Sequence, residues 1–417
     1  MVGDWKKVSM KDNLEILTGY AFSSKNFNEE EGIPLIRIRD LETHNPVTLY
    51  KGDYDDKYII NKGDILVGMD GEFNIVRWKG PKALLNQRVA KINSKNPDII
   101  SEDFIFYRLQ GELRKIEALT PATTVKHLSK KDIEDLNLLL PPLGEQSKIA
   151  SILSSVDEAI GKTEAIIEQT EKVKKGLMQQ LLTKGIGHTK FKKTEIGEIP
   201  EGWEVRRLDN IFEFYGGMPF SRSVLGDEGV FYLHYGDIHK MNKSAFDTNI
   251  DSSWLPRLDI SKEEIREYSL LKTGDVVFAD ASEDTEGIGK SVVIINDENK
   301  PFISGLHTII AKEKEATLDN GYKEYCFSNP LVRKQFIKIA TGATVYGISK
   351  TSIKQIKIPV PPIEEQRTIA KTLKGLDNKI QNEKEKLEPL INIKKGLMQV
   401  LLTGKVRVKV DNEVMSQ

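Results

Sequence analysis

The sequence predicts an α/β (α+β) protein built twice over. Two domains of mixed α/β structure are separated by two long helices that pair as an antiparallel coiled coil, with internal pseudo-two-fold symmetry. Three observations lead there. Two landmarks recur at one common spacing, apolar residues keep a coiled-coil rhythm between them, and short β-like runs with turn signals fill the rest.

The repeat comes first. Pro141-Pro142-Leu143-Gly144-Glu145-Gln146 returns as Pro361-Pro362-Ile363-Glu364-Glu365-Gln366, a shift from 141 to 361 of 220 positions. Lys174-Lys175-Gly176-Leu177-Met178-Gln179 returns unchanged from Lys394 to Gln399, again 220 positions on. No insertion separates the two landmarks. Fainter echoes pair Gly19-Tyr20-Ala21-Phe22-Ser23 with Gly217-Met218-Pro219-Phe220-Ser221, Gly63-Asp64-Ile65 with Gly274-Asp275-Val276, and Thr124-Val125 with Thr344-Val345. Their offsets drift, so these regions carry insertions. The layout is a domain at 1–140, a helix at 141–184, a linker at 185–202, a second domain at 203–360, a second helix at 361–404 and a tail at 405–417.

Each helix has a physical start. The Pro-Pro pair stops the preceding strand, and Glu145 or Glu364-Glu365 complements the positive N-terminal dipole. Apolar residues then follow three- and four-residue steps: Ile149, Leu153, Val156, Ile160, Ile167, Val173, Leu177 and Leu181 in the first copy. The second has Ile369, Leu373, Leu376, Ile380, Leu387, Leu390, Ile393, Leu397 and Leu401. That is a coiled-coil seam, on helices roughly 55–60 Å long at 1.5 Å per residue. Thr163, Thr170 and Glu383 interrupt the seam, and Pro389 predicts a bend. Periodicity alone also fits an ordinary helical hairpin with no spacer role.

The domains read as short strands at 35–38, 64–67, 230–235, 275–278, 291–295 and 308–311. Helices are expected at 101–119 and 321–339, and the 185–202 linker is polar.

Composition is that of a globular protein, 39% hydrophobic and 29% charged, with a formal net charge of −1. The balance argues against a uniformly basic nucleic-acid binder, yet binding needs only a basic face. No run of 18 apolar residues occurs, and residues 1–11 lack a signal-peptide core, so no membrane partner and a cytoplasmic location are expected. Cys326 is the sole cysteine, which rules out an intramolecular disulfide.

Catalytic motifs fail one by one. Gly287-Ile288-Gly289-Lys290-Ser291 resembles a phosphate loop, but Asp284 stands where the first glycine belongs; a turn into a strand is the better reading. No Asn/Asp-Pro-Pro-aromatic tetrad offers a base-methylation pocket, and no Gly-x-Gly-x-x-Gly follows a strand. His234 and His239 lack zinc-peptidase spacing, so no metal site is expected. Acidic pairs Asp55-Asp56 and Glu263-Glu264 read as solvated surface. What remains is polar and basic. Arg37, Arg39, Arg77, Lys79, Lys82, Gln87, Arg88 and Lys126 lie in the first domain. His234, His239, Lys240, Lys243, Arg257, His307, Lys350 and Lys354 lie in the second. Arg and Lys grip phosphates or read guanine, and Gln reads adenine. For any one of them a solvated charged face is the plain alternative.

The duplicated set resembles the specificity subunits of Type I restriction–modification systems. Pro-Pro-x-x-Glu-Gln at 141–146 and 361–366, Gly-Leu-Met-Gln-x-Leu-Leu at 176–182 and 396–402, and the segments 194–203, 274–284 and 304–308 carry it. The resemblance implies that 1–140 and 203–360 are target recognition domains, each reading half of a split site in double-stranded DNA. The helices would act as a ruler. Reading heads on one face of a duplex sit about one helical turn apart or a multiple. Two methyltransferase subunits would dock on the scaffold, with Gly176, Leu177, Met178, Gln179, Gly396, Leu397, Met398 and Gln399 as docking positions, and restriction/translocase subunits would join through them. S-adenosylmethionine, ATP and Mg would be bound by those partners and none by this chain, which would not itself be an enzyme. An orphan sequence-specific DNA-binding regulator and a coiled-coil protein-binding adaptor are the competing readings.

Overall fold

Gln146 and Gln366 show why the Pro-Pro-x-x-Glu-Gln motif recurs. In the computed structural model, which describes residues 3–120, 125–261, 264–342 and 344–410, both side chains are buried. Gln146 Nε2 donates to the Pro141 and Ile99 carbonyls at 2.9 and 2.8 Å, and its Oε1 accepts the Ser101 amide at 2.9 Å. Gln366 repeats this with the Pro361 and Thr317 carbonyls and the Asp319 amide, at 2.9, 3.2 and 2.8 Å. A buried amide that pairs three orphan backbone groups is hard to replace. Thr124, Glu263 and the tail beyond residue 410 lie outside the described residues.

The chain forms two compact units, residues 1–164 with 385–417, and residues 165–384. Each holds a domain and half of each long helix. Those helices are Leu143–Lys184 and Ile363–Leu401.

The first unit has a four-stranded antiparallel sheet ordered Leu14–Thr18, Val89–Ser94, Ile65–Gly68, Ile75–Arg77. Ile65–Gly68 is buried along its length, which is why it reads as a continuous apolar run. Helix Glu102–Leu119, capped by Ser101, buries Phe104, Ile105, Leu109 and Leu113 in the same core. A five-stranded sheet follows the order Phe27–Asn28, Leu49–Tyr50, Ile33–Ile36, Ala83–Leu85, Ile59–Ile60, and its Ile33–Ile36 and Ala83–Leu85 strands are parallel. The start of the first long helix joins the end of the second here: Ile149 and Leu153 share a core with Leu397, Leu401 and Leu402.

The second unit repeats the plan. Its larger sheet is ordered Phe212–Gly216, Thr308–Glu313, Val276–Ala279, Ser291–Ile295, Ala245–Asp247. Its smaller sheet again has a parallel pair, Val230–Leu233 with Phe302–Ser304. Leu181 and Leu182 from the end of the first long helix pack with Ile369 and Leu373 from the start of the second. Glu171 pairs with Lys384 and Lys174 with Asp377. Numbers rise along one helix as they fall along the other, so the pairing is antiparallel.

The Gly-Asp echoes are turn staples. Asp64 accepts the Asn61 amide and pairs with Lys91, each at 2.8 Å. Asp275 accepts the Lys272 amide at 2.8 Å and pairs with Lys312.

Several expectations need correction. Thr163 and Thr170 are buried, but each hydroxyl donates to the carbonyl four residues back, so the seam tolerates them. Val173 and Ile393 are exposed, at 42% and 51%. The packed side runs through Lys174 to Leu177 and Leu181, and through Lys394 to Leu397 and Leu401, which leaves Val173 and Ile393 one position off it. At Pro389 the expectation of a bend rather than two separate helices meets no break, for the second helix runs through it as one element. The 321–339 helix is two helices, Asn320–Cys326 and Pro330–Ile339. Pro330 lacks an amide hydrogen and fits the first helical position, with Asn329 capping the Leu331 amide at 2.8 Å. The 185–202 linker contains a hairpin, Phe191–Thr194 with Gly197–Pro200, turning through Gly197 at φ 131°.

Candidate nucleic-acid interface

Each unit gathers loops at one sheet edge by the same backbone bonds. In the first, the Gly19 amide donates to the Val89 carbonyl and the Tyr20 amide to that of Leu85. A Cβ on Gly19 would stand 2.1 Å from the Asn86 carbonyl oxygen, so only glycine permits the approach. The Met69 amide donates to Arg88 and the Leu128 amide to Met69. Because Ile33–Ile36 and Ala83–Leu85 are parallel, Arg37 and Arg39 leave the five-stranded sheet at the same end as Gln87 and Arg88.

Asp70 organises the side chains there. Its carboxylate lies 3.0 Å from Arg88 Nε and 2.6 Å from His127 Nδ1. Lys126, one residue away, reaches Glu117 at 3.6 Å. The exposed Tyr20 ring completes the edge. Of the expected residues, Gln87, Arg88, Lys126, Arg37 and Arg39 are thus brought to one end. Arg37 also stacks over Phe27, with its guanidinium 5.1 Å from the ring centroid. Lys79 and Lys82 are exposed but sit at the opposite end of Ala83–Leu85. Arg77 is a structural strut. It pairs with Asp103 at 2.6 Å, donates to the Gly63 carbonyl and stacks over Phe106.

In the second unit the Gly217 amide donates to Thr308 and the Met218 amide to Ser304. A Cβ on Gly217 would stand 1.9 Å from the Gly305 carbonyl oxygen. The Asp280 amide donates to His307 and the Ile348 amide to Asp280. His307 Nδ1 lies 3.2 Å from Asp280 Oδ1, and its ring meets Tyr235 edge-on. Burial raises the Asp280 carboxyl above its usual range, and His307 partly offsets this. Lys350 Nζ approaches Gly216 on the same side, and Lys240 is exposed. Lys354 is exposed past the end of the short helix Lys350–Ile353.

Three expected residues in this unit have internal work. His234 is buried and caps helix Tyr235–Lys240, its Nδ1 accepting the Gly236 amide at 3.2 Å, so it is not presented at the surface. His239 Nε2 meets the Ala281 carbonyl at 2.8 Å. Lys243 pairs with Asp251. Arg257, from the same group, stacks over Phe231. The Gly287–Ser291 loop is a turn into strand Ser291–Ile295, and Lys290 Nζ donates to the His239 and Met241 carbonyls.

Sequence reasoning passed over Tyr20, Asp70, His127, Tyr235 and Asp280. Neither acids nor aromatics stand out in a search for basic residues, and only tertiary pairing marks them.

The docking positions divide. Leu177 and Met178 pack on the core of the second unit, and Leu397 and Met398 on that of the first. Gly176, Gln179, Gly396 and Gln399 are exposed. Among the described residues no cluster of His, Cys, Asp and Glu is arranged to hold a metal ion, and no helix is long and apolar enough to cross a membrane.

A duplicated scaffold presenting two loop edges with different side chains is a two-headed recognition protein. The chain matches the family model of the Type I restriction modification DNA specificity domain at residues 3–172 and again at 200–391. It is 31% identical over 409 residues to the Type I restriction enzyme MjaVIII specificity subunit of Methanocaldococcus jannaschii, covering 97% of this chain and 94% of that one. It is 30% identical over 390 residues to the EcoBI specificity subunit of Escherichia coli, covering 89% and 79%. The solved S subunit of a Type I system from M. genitalium aligns with TM-score 0.59 at 17% identity, over 95% of this chain and 96% of its own. A structure from work on assembly and conformational transition of the Type I system aligns at 0.53 and 16% identity, over 97% and 98%. The two structures share its fold. The chain belongs to the family of Type I restriction–modification specificity subunits, which are non-catalytic DNA-recognition subunits.

Proposed function

We propose that each unit reads one half of a bipartite site in double-stranded DNA with the loop edge described above, while the paired helices set the spacing of the halves. The observation that carries this is one backbone cage built twice, with Gln87-Arg88 at one tip and Leu306-His307 at the other. A constant frame with variable tips is what two different half-sites require. Arg39, Lys126, Lys240 and Lys350 serve as phosphate contacts that orient the duplex.

Two methyltransferase subunits dock on the long helices. Exposed Val173, Gly176 and Gln179, and Ile393, Gly396 and Gln399, form matched faces. A mid-helix glycine costs about 1 kcal/mol and has no packing reason here, so close approach of a partner backbone accounts for it. S-adenosylmethionine, ATP and Mg belong to the methyltransferase and restriction/translocase subunits, and the assembly works in the cytoplasm.

Mapping methylated adenines in DNA from cells expressing this chain with its methyltransferase tests the reading. A split, asymmetric motif is expected. A stable complex that leaves no motif would overturn it, and binding to duplex DNA that ignores salt would favour a protein-binding adaptor.

A further inference from the structure

We infer that Arg88 and His307 occupy the same base-reading position in the two units, that an aspartate aims each of them, and that Gln87 and Leu306 supply the neighbouring contact. The inference rests on the two-part reading above.

Equivalence follows from the backbone. Val89 and Thr308 each accept a glycine amide, from Gly19 and Gly217. Leu85 and Ser304 each accept the next amide, from Tyr20 and Met218. Arg88 and His307 each accept an amide from the segment leaving a central strand, Met69 and Asp280. Those acceptors fix the two loops residue for residue, so 87 matches 306 and 88 matches 307. Side chains at both reading positions are half exposed, 55% for Arg88 and 51% for His307.

The aspartates do not neutralise the readers so much as orient them. Asp70 accepts one Nη1 hydrogen at 3.3 Å, and its other oxygen lies 3.0 Å from Nε as an ion pair. Nη2 has no partner among the described residues, and the exposed guanidinium edge can present two donors to guanine O6 and N7. His307 sits in the left-handed region at φ 58°, a conformation that costs an L-residue roughly 1–2 kcal/mol. Asp280 and the Tyr235 ring hold the imidazole against that strain. A non-glycine residue kept in such a conformation at a loop tip marks a used side chain. With Nδ1–H donated to Asp280, the neutral imidazole leaves Nε2 as an acceptor for one base-edge donor. Beside the readers, Gln87 offers the paired donor and acceptor that adenine needs, whereas Leu306, 38% exposed, offers only apolar contact, which suits a thymine methyl. The first half-site therefore contains a guanine read by Arg88, and the second contains a thymine beside the base that His307 contacts.

The test selects a random duplex pool with the full chain and sequences the bound fraction. Arg88→Ala should lower preference at one base pair of one half by roughly 5- to 150-fold and leave the other half unchanged. Arg88→Lys keeps the charge but loses the fork, so affinity should hold while that base preference falls. His307→Ala should act on the other half alone, and Asp70→Asn should relax the same base pair as Arg88→Ala with an unchanged melting temperature. If Arg88→Ala weakens binding to all sequences equally, Arg88 is a phosphate contact and the inference is wrong while the two-part reading stands. If the wild-type chain selects no two-part motif, that reading fails and the inference with it.

Discussion

Lys394 and Asp157 pair at 2.7 Å in the first unit, and Lys174 and Asp377, 220 positions away in each case, pair in the second. Each aspartate also accepts a tyrosine hydroxyl from the sheet domain, Tyr107 at 2.8 Å and Tyr325 at 2.7 Å. One carboxylate therefore ties together both helices and the domain of its unit. The same knot is tied twice because the intervening helix has neither gained nor lost a residue.

Those tyrosines should resist titration. Burial first, then the aspartate, raises both hydroxyls well above the usual 10. An acid whose folded pKa is raised keeps its proton where the unfolded chain has lost it, so stability falls as pH climbs above about 10. Absorbance titration should show the same early tyrosine amplitude in wild type, Tyr107→Phe and Tyr325→Phe. A smaller amplitude in either variant would mean that its hydroxyl ionises normally.

Replacing Gln146 or Gln366 with Leu should be costly. Either change strands three backbone groups at the entry to a long helix. A loss of about 2–5 kcal/mol is expected from each, read as a lower urea midpoint. A shift below about 1 kcal/mol would mean that water replaces the amide.

Trp203 and Trp5 open the two domains but differ in bonding. Trp203 Nε1 donates to Glu365 at 2.9 Å, whereas Trp5 Nε1 is buried with no partner. Glu145, the counterpart of Glu365, is held instead by Arg407 at 2.9 Å. Trp203→Phe should therefore cost about 1.5–3 kcal/mol more than Trp5→Phe, since it alone removes a bond to a charged group. Amide exchange in each unit would measure both, and equal effects would contradict the assignment.

Cys326 should be inert. It is buried, and burial pushes its thiol far above the normal range. A thiol-specific disulfide reagent should label it only after denaturant is added. Rapid labelling of the native chain would show that the second core opens easily.

Lengthening the paired helices together tests the ruler. Seven residues inserted near Glu164, with their antiparallel partners inserted near Glu385, should widen the gap in the methylated motif and leave both half-sites unchanged. An unchanged gap would remove the helices from spacing.

Much of this was legible early because it is local or repetitive. Apolar rhythm marked the helices, and turn chemistry marked strands such as Ile65–Gly68 and Ser291–Ile295. The interface was legible only in part. Gln87, Arg88 and His307 were found as polar residues, but Arg77 and His234 looked no different and proved to be a strut and a cap. Leu177 and Met178 recur for packing, whereas Gly176 and Gln179 from the same motif are exposed, and so is Val173, which the apolar rhythm had placed on the seam.

The sequence by itself determined the duplication, the gap-free helices, the fold class and the family, since each is written in spacing and in motifs that chain neighbours carry. Only the tertiary structure decided which polar side chains share an edge and which brace the core. The physical reason is that Asp70 reaches Arg88 and His127, and Asp280 reaches His307, across strands whose pairing brings distant residues together, and no local period encodes that pairing.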